Sequence, residues 1–227
     1  MLSLETAEAE DAAELDKIRN CVLLLYTLNE LQAYSRVDKW KIQKTCFFTQ
    51  RDAQMRRIKG TNYQFFKWKD GPMSAGIVGD FNVFNATGMV HLSGNRVFEH
   101  ISKEGRDLIS EMKTFIEASE NRTVVDHLAG WVNKLGPYTG SQLRDMSHRC
   151  EVPYMGGMAA IEDIADGTPL LDPIGPRDVS FDFRIPKEWI PTLSLTFSFR
   201  YPEIKQVLST PFKAADLLKW SDVFDAH

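Results

Sequence analysis

The sequence predicts a mainly α fold with small β elements, of the α+β class. It reads as a helical domain carrying a winged-helix-like hairpin, then a C-terminal extension with a β-hairpin and short helices. Three observations carry this. Apolar residues recur every three or four positions through most of the N-terminal two thirds, the spacing that gives a helix one buried face. Glycine, proline and aromatic clusters interrupt that spacing between Gly60 and Pro72 and again around Ser93-Gly94-Asn95. Towards the C-terminus the period becomes two. Val179, Phe181, Phe183 and Ile185 alternate with Ser180, Asp182 and Arg184, and Leu193, Leu195, Phe197, Phe199 and Tyr201 alternate with Ser194, Thr196, Ser198 and Arg200.

Taken in order, Leu15, Ile18, Val22, Leu25 and Leu28 predict an amphipathic helix over 10–34. Asp38 is a good N-cap for a second helix reaching Ile58, with Val37 and Ile42 placed as a hydrophobic staple and Gly60 ending it. Tyr63 to Lys69 reads as a strand or an extended segment. Pro72 cannot continue that strand, so Gly71-Pro72 is expected to turn the chain and launch a helix whose Ile77, Phe81 and Phe84 face the core. Gly88 stands where a C-cap glycine belongs. A hairpin of MVHL and RVFEHI follows, then a helix capped by Ser102 through Leu108, Met112, Phe115 and Ile116. Another carries Val124, Leu128, Trp131, Val132 and Leu135 and ends at Gly136-Pro137, and a shorter one covers 141–148. After Pro153 glycines and prolines surround a helical turn at Ile161, and a linking region is expected near 166–177. Short helices PEIKQVL and FKAADLLKW close the chain.

The 227 residues are 43% hydrophobic and 26% charged, ordinary values for a folded protein. No apolar run approaches the roughly 20 residues that cross a bilayer, and the acidic start MLSLETAEAEDAAELDK is unlike a signal peptide, so a cytoplasmic protein without membrane contact is expected. Cys21, Cys46 and Cys150 fit neither a disulfide framework nor a metal site, and the first two fall in apolar helical patterns where a thiol serves as a small hydrophobe. Net charge is −4, which argues against nucleic acid as the main partner. Acidic residues crowd 5–16, whereas 36–59 holds Arg36, Lys39, Lys41, Lys44, Arg51, Arg56, Arg57 and Lys59 against Asp38 and Asp52. That segment can steer an acidic partner or a phosphate backbone. A solvated helix face explains it as well and is the preferred reading.

Phosphate-loop, HExxH, GxSxG and kinase-type patterns are absent, and the glycines at 71–79 do not form GxGxxG. No cofactor or metal is expected. Asp145, His148 and Cys150 form the one enzyme-like cluster, but spacing alone makes no dyad, and a structural part for His148 is the better reading. A winged-helix reader would place the helix before the hairpin in the major groove. Here that helix, MSAGIVGDFNVFNATG, has no Lys or Arg, and the wing offers Arg96 alone.

Four blocks then match a family. "KIQKTCFFTQ" (41–50) resembles the Lys-Leu-Gln-Lys-type helix of the Panacea, or SocA-like, antitoxin domain. "FFKWKDGPMSAGIVGDF" (65–81) is similar to its aromatic approach to Gly-Pro and the helix beyond. "ISKEGRDLI" (101–109) resembles the helix start after its hairpin, and "SQLRDMSHRCEVPY" (141–154) its Ser/Thr-His and Pro-Trp ending, with Tyr154 in place of Trp. Cys46-Phe47 and Asp70 also depart from the common pattern.

The resemblance covers about 12–160 and implies a Panacea-type domain over 1–168 with a C-terminal extension over 169–227 that serves toxin docking or dimerisation. It implies an antitoxin, bacterial or phage-borne, that binds and neutralises a co-encoded toxin, with a protease or chaperone as a further partner and no catalysis. Expected structural members of the motif are Gln43, Gly71, Pro72, Gly105, His148 and Pro153. Expected partner contacts are Lys44, Arg51, Lys67, Lys69 and Asp70, together with Phe197 and Phe199 on the apolar face of the C-terminal ribbon. Such a ribbon must pack on its own domain, dimerise, or receive a partner strand. The alternative reading is a DNA-binding regulator using 36–59, autoregulating its own operon; an enzyme built on His148 and Cys150 ranks last.

Overall fold

The computed structural model describes residues 4–92, 98–175 and 178–197. Helix α1 spans Leu4–Gln32, and its C-terminal part, from Ile18, lies in the core. The sequence predicts one buried face, yet residues 18–28 are buried all round, including Arg19, Asn20 and Thr27. A helix apolar on all sides belongs inside the protein, and the Leu23-Leu24-Leu25 run is what makes this one so.

Helix α2 (Lys39–Met55) starts as expected, with the Asp38 carboxylate accepting from the Lys41 N–H at 2.7 Å. It ends earlier than expected. Arg57 takes a left-handed φ of 56°, which stops the helix before Gly60 and frees strand β1 (Ile58–Lys59). Strand β2 (Phe65–Trp68) follows, and then β3 (Gly71–Met73), antiparallel to it with Trp68 opposite Gly71 and Lys67 opposite Pro72.

Pro72 therefore lies within a strand, not at the start of a helix, and the turn is Lys69-Asp70. The proline is tolerated because β3 is an edge strand, where a missing N–H costs no ladder bond. Helix α3 (Ala75–Ala86) begins three residues later and buries Ile77, Phe81 and Phe84 as predicted, with Gly88 at φ 73° beyond its end.

The next hairpin pairs β4 (Val90–Leu92) with β5 (Phe98–Ile101); its expected Ser93-Gly94-Asn95 turn lies outside the described residues. Ser102 caps α4 (Lys103–Ile116) through the Gly105 N–H at 3.0 Å. Gly105 has to be glycine here, because a Cβ would stand 2.4 Å from the Met89 carbonyl oxygen. Helices α5 (Arg122–Leu135) and α6 (Gly140–His148) match their predicted spans, the latter through a Thr139/Gln142 capping box.

Beyond α6, where the sequence predicts no strand, the chain forms a hairpin, β6 (Glu151–Tyr154) and β7 (Gly157–Ala160). Met155 and Gly156 both have positive φ, the two-residue turn that suits strand twist. Strand β8 (Pro169–Leu171) joins β2 on the side away from β3, giving the order β3-β2-β8. Strand β9 (Phe181–Asp182) pairs in parallel with β1.

The predicted second strand of the C-terminal hairpin is instead helix α7 (Ile190–Phe197). Leu193 and Phe197 also stand at i and i+4, and as a helix they both enter the core while Leu195 is 80% exposed. Pro191 fits the first helical turn. A period of two over so short a run is compatible with either element, and packing on α1 and on the Phe84 ring, 5.8 Å from that of Phe197, decides for the helix. Phe199, Tyr201 and the two short helices expected at 202–208 and 212–220 lie outside the described residues.

The described part of 169–197 is thus knit into the core. Asn62 and Asn121 each clamp a backbone residue in it, Ile174 and Arg184, through both amide atoms. Arg19 donates to the Phe183 carbonyl at 2.9 Å and meets Asp182 at 3.1 Å. The chain is mainly α with small sheets, and none of its described helices is long and apolar enough to cross a membrane.

Candidate functional site

Helix α2 lays a row of long polar side chains against the segments on either side of the β2–β3 hairpin. The Gln43 amide donates to the Ser74 carbonyl at 3.0 Å and accepts from the Ser74 N–H at 2.9 Å. Two turns later Gln50 does the same to Tyr63, at 2.6 and 2.8 Å. Each glutamine thereby stands in for a neighbouring strand, satisfying one donor and one acceptor that burial would otherwise orphan. Between them Lys44 donates from Nζ to the Pro72 carbonyl at 2.6 Å.

Lys44 is 1% exposed. Burial holds its amine down at about 7, against the opposing pull of Asp70 and with help from Arg144 and Lys67. Gly71, opposite Trp68 at the end of the turn, has φ 86°, and a Cβ there would lie 2.6 Å from Ser147 Oγ and 3.5 Å from Lys44 Nζ. Glycine is required at this place for both reasons. Helix α6 closes the other side. Arg144 reaches Asp70 at 3.9 Å and Asp145 at 3.0 Å. His148 has its imidazole held below the usual range by burial and by the Lys67, Lys44 and Arg144 charges.

Three of the four motif blocks therefore meet at one junction: α2, the β2–β3 hairpin and α6. The fourth, at Gly105, packs against the Met89 carbonyl instead. Among the motif residues, Gln43, Gly71 and Pro72 are buried at the junction and His148 is half-buried beside it, whereas Pro153 is exposed on β6.

The expected partner contacts divide differently. Lys69 is exposed and Asp70 half-buried, but Lys67 is buried, its ammonium bonded to the Trp68 carbonyl and to Asp166, both at 2.9 Å. Lys44 is buried as described, and Phe197 is 1% exposed in the core. These three are corrections: each side chain faces inward because the junction or the core supplies it with a partner. Arg51 binds β6, donating to Cys150 Sγ at 3.0 Å and to the Glu151 carbonyl at 2.7 Å. The Cys150 thiol is pushed up, chiefly by burial.

The basic segment 36–59 is likewise no continuous surface. Lys41, Lys44 and Lys59 are buried, and Lys41 donates to Ser35 Oγ at 2.8 Å and to the Gly136 carbonyl. Lys59 is paired with Asp16 at 2.8 Å and Arg56 with Asp52 at 2.9 Å.

Apolar residues that the sequence reading did not name as partner contacts complete the site. Trp40, Trp68, Met73 and Val78 line a hollow beside the hairpin, with Lys39 and Lys69 at its edge. The two tryptophans flanking a lysine-rich segment were a usable signal. Among the described residues no group of three His, Cys, Asp or Glu side chains is placed to hold a metal ion. No protein-family model, no curated protein and no solved structure matches this chain.

Proposed function

We propose that the chain is an antitoxin of the Panacea, or SocA-like, kind, neutralising a co-encoded toxin by direct binding. The observation that carries this reading is the convergence of the resembling blocks: Gln43 and Lys44 of the first, Gly71 and Pro72 of the second and Ser147 of the last meet within hydrogen-bond or van der Waals reach. A set of separated short motifs that assemble one junction behaves as a fold signature, and its work is to fix the geometry of a hairpin turn at the surface. Burial lowers the Lys44 amine to about 7, but that residue is 1% exposed and its amine donates to the Pro72 carbonyl, and the Cys150 thiol, pushed up by burial, contacts Arg51. On this reading 1–168 is the Panacea-type unit, and 169–197 completes its core.

The burial of Lys41, Lys44 and Lys59 favours this reading over DNA binding through 36–59, which needs those charges on phosphates. Growth of cells expressing the product of the adjacent gene tests it. The expected result is growth arrest by that product alone and recovery when this chain is co-expressed. A harmless neighbour, or arrest that persists, overturns the reading. Tight, salt-sensitive binding to its own promoter DNA without rescue transfers the assignment to the regulator alternative.

A further inference from the structure

The β4–β5 hairpin turns one face to the core and one to water, as period two along an antiparallel pair allows. Its inward pair is Val90 opposite Ile101, both buried. The neighbouring pair is His91 opposite His100, and both are exposed. Their rings approach to 4.6 Å between centroids, with 44° between the planes. Strand pairing thus brings two of the chain's five histidines together on one accessible surface.

Imidazole nitrogen is a good ligand for zinc, copper and nickel. The spacing decides whether both rings can reach one ion. A metal–nitrogen bond of about 2.0 Å puts each ring centroid about 3.2 Å from the ion, so two centroids lie about 4.5 Å apart at a right angle and about 5.2 Å apart at the tetrahedral angle. The observed 4.6 Å fits the right angle. A right-angled nitrogen pair completed by oxygen is the tetragonal arrangement that Cu²⁺ and Ni²⁺ favour. Rotation about the bond to a histidine ring is soft, so exposed rings can aim their nitrogens at an ion while the strands stay in place.

We propose that His91 and His100 form a two-imidazole site for a divalent copper or nickel ion, which clamps β4 to β5. Among the described residues no group of three His, Cys, Asp or Glu side chains is placed to hold a metal, so water takes the remaining positions. Once one imidazole has bound, the strand pairing holds the other beside the ion. The pair therefore binds on the order of 10²-fold more tightly than either ring alone. The site stands apart from the toxin-binding reading and is tested without it.

Copper electron paramagnetic resonance of the full chain at one equivalent of CuCl2 counts the bound imidazoles, and calorimetric titration with NiCl2 measures affinity. The expected result is one ion per chain, a two-imidazole spectrum and a melting temperature that rises with NiCl2. His91→Gln and His100→Gln are each expected to bind at least about tenfold more weakly, because chelation is lost. Each should also show one imidazole fewer in the copper spectrum. His227→Ala, at the chain terminus, should bind as wild type does.

A wild-type spectrum with one imidazole or none overturns the proposal, and this reading needs no variant to fold. Binding that survives both glutamine substitutions, or that is lost on His227→Ala, overturns it too. The pair is then a cross-strand ring contact that steadies the hairpin and nothing more.

Discussion

Around α1 the interior is apolar, with Leu23, Leu24, Leu25 and Leu28 fully enclosed, whereas around the β2–β3 hairpin it is polar, with Gln43, Lys44 and Lys67 buried against backbone carbonyls. The two interiors hold the fold by different physics. Apolar burial is non-directional and depends on volume. Buried amides and amines are directional, and each one left without its partner costs the desolvation of that group. The first kind of core fixes how helices pack; the second fixes where one turn points. Each also hides a titratable group of opposite sign. Asp80 of α3 lies against Tyr63, whose hydroxyl donates to it at 2.6 Å, and burial raises its carboxyl to about 6. Lys44 is lowered by the same cause to about 7.

Chemical unfolding breaks the comparison most sharply. Leu24→Ala is expected to cost about 2–5 kcal/mol, with little dependence on pH, because it leaves a void in the apolar region. A cost below about 1 kcal/mol would mean that α1 is not enclosed. Lys44 supplies the contrasting behaviour. Between pH 7 and its ordinary 10.5 the unfolded chain holds a proton that the folded chain lacks. Its contribution to stability therefore rises with pH across that window, by up to about 1.4 kcal/mol per unit, and falls away as pH drops to 7. The difference between wild type and Lys44→Met, measured over this window, isolates the slope, and equal slopes would place the amine in water.

Asp80 acts in the reverse sense. Its folded value is raised from 3.8 to about 6, so its contribution is fully present below 3.8 and is lost as pH climbs through 6. Asp80→Asn keeps an acceptor for Tyr63 and is expected to abolish that loss, which unfolding between pH 3.5 and 6.5 would reveal. Gln43→Ala removes both bonds to Ser74 and is expected to cost about 1–3 kcal/mol. The smallest effect belongs to the surface: Leu195→Ser on the exposed side of α7 should stay within about 0.5 kcal/mol. A large loss there would mean that Leu195 is covered by another part of the protein.

What was legible in the sequence follows the same division. Asp38, Ser102, Ile77, Phe81 and Phe84 were readable because capping and helical periodicity are local rules, and each lies where the pattern puts it. The polar junction was not. Lysines on a helix look like a solvated face, and only the tertiary arrangement shows that Lys44 and Lys67 meet carbonyls of the hairpin. Pro72 misled for a related reason, since a proline is excluded from a strand interior but not from an edge. Residues 190–197 satisfied two periods at once, and contact with α1 and Phe84 chose between them. The hollow was half legible: Trp40 and Trp68 stand near lysines in the sequence, but α2 has to pack on the β2–β3 hairpin to bring them together.

The account turns on this chain's being a binding protein whose hairpin is presented by a polar junction. Calorimetric titration of the purified chain with the purified product of the adjacent gene tests that most directly. The account predicts a stoichiometric complex with the wild-type chain. No heat of binding at micromolar concentrations with wild-type chain would contradict it.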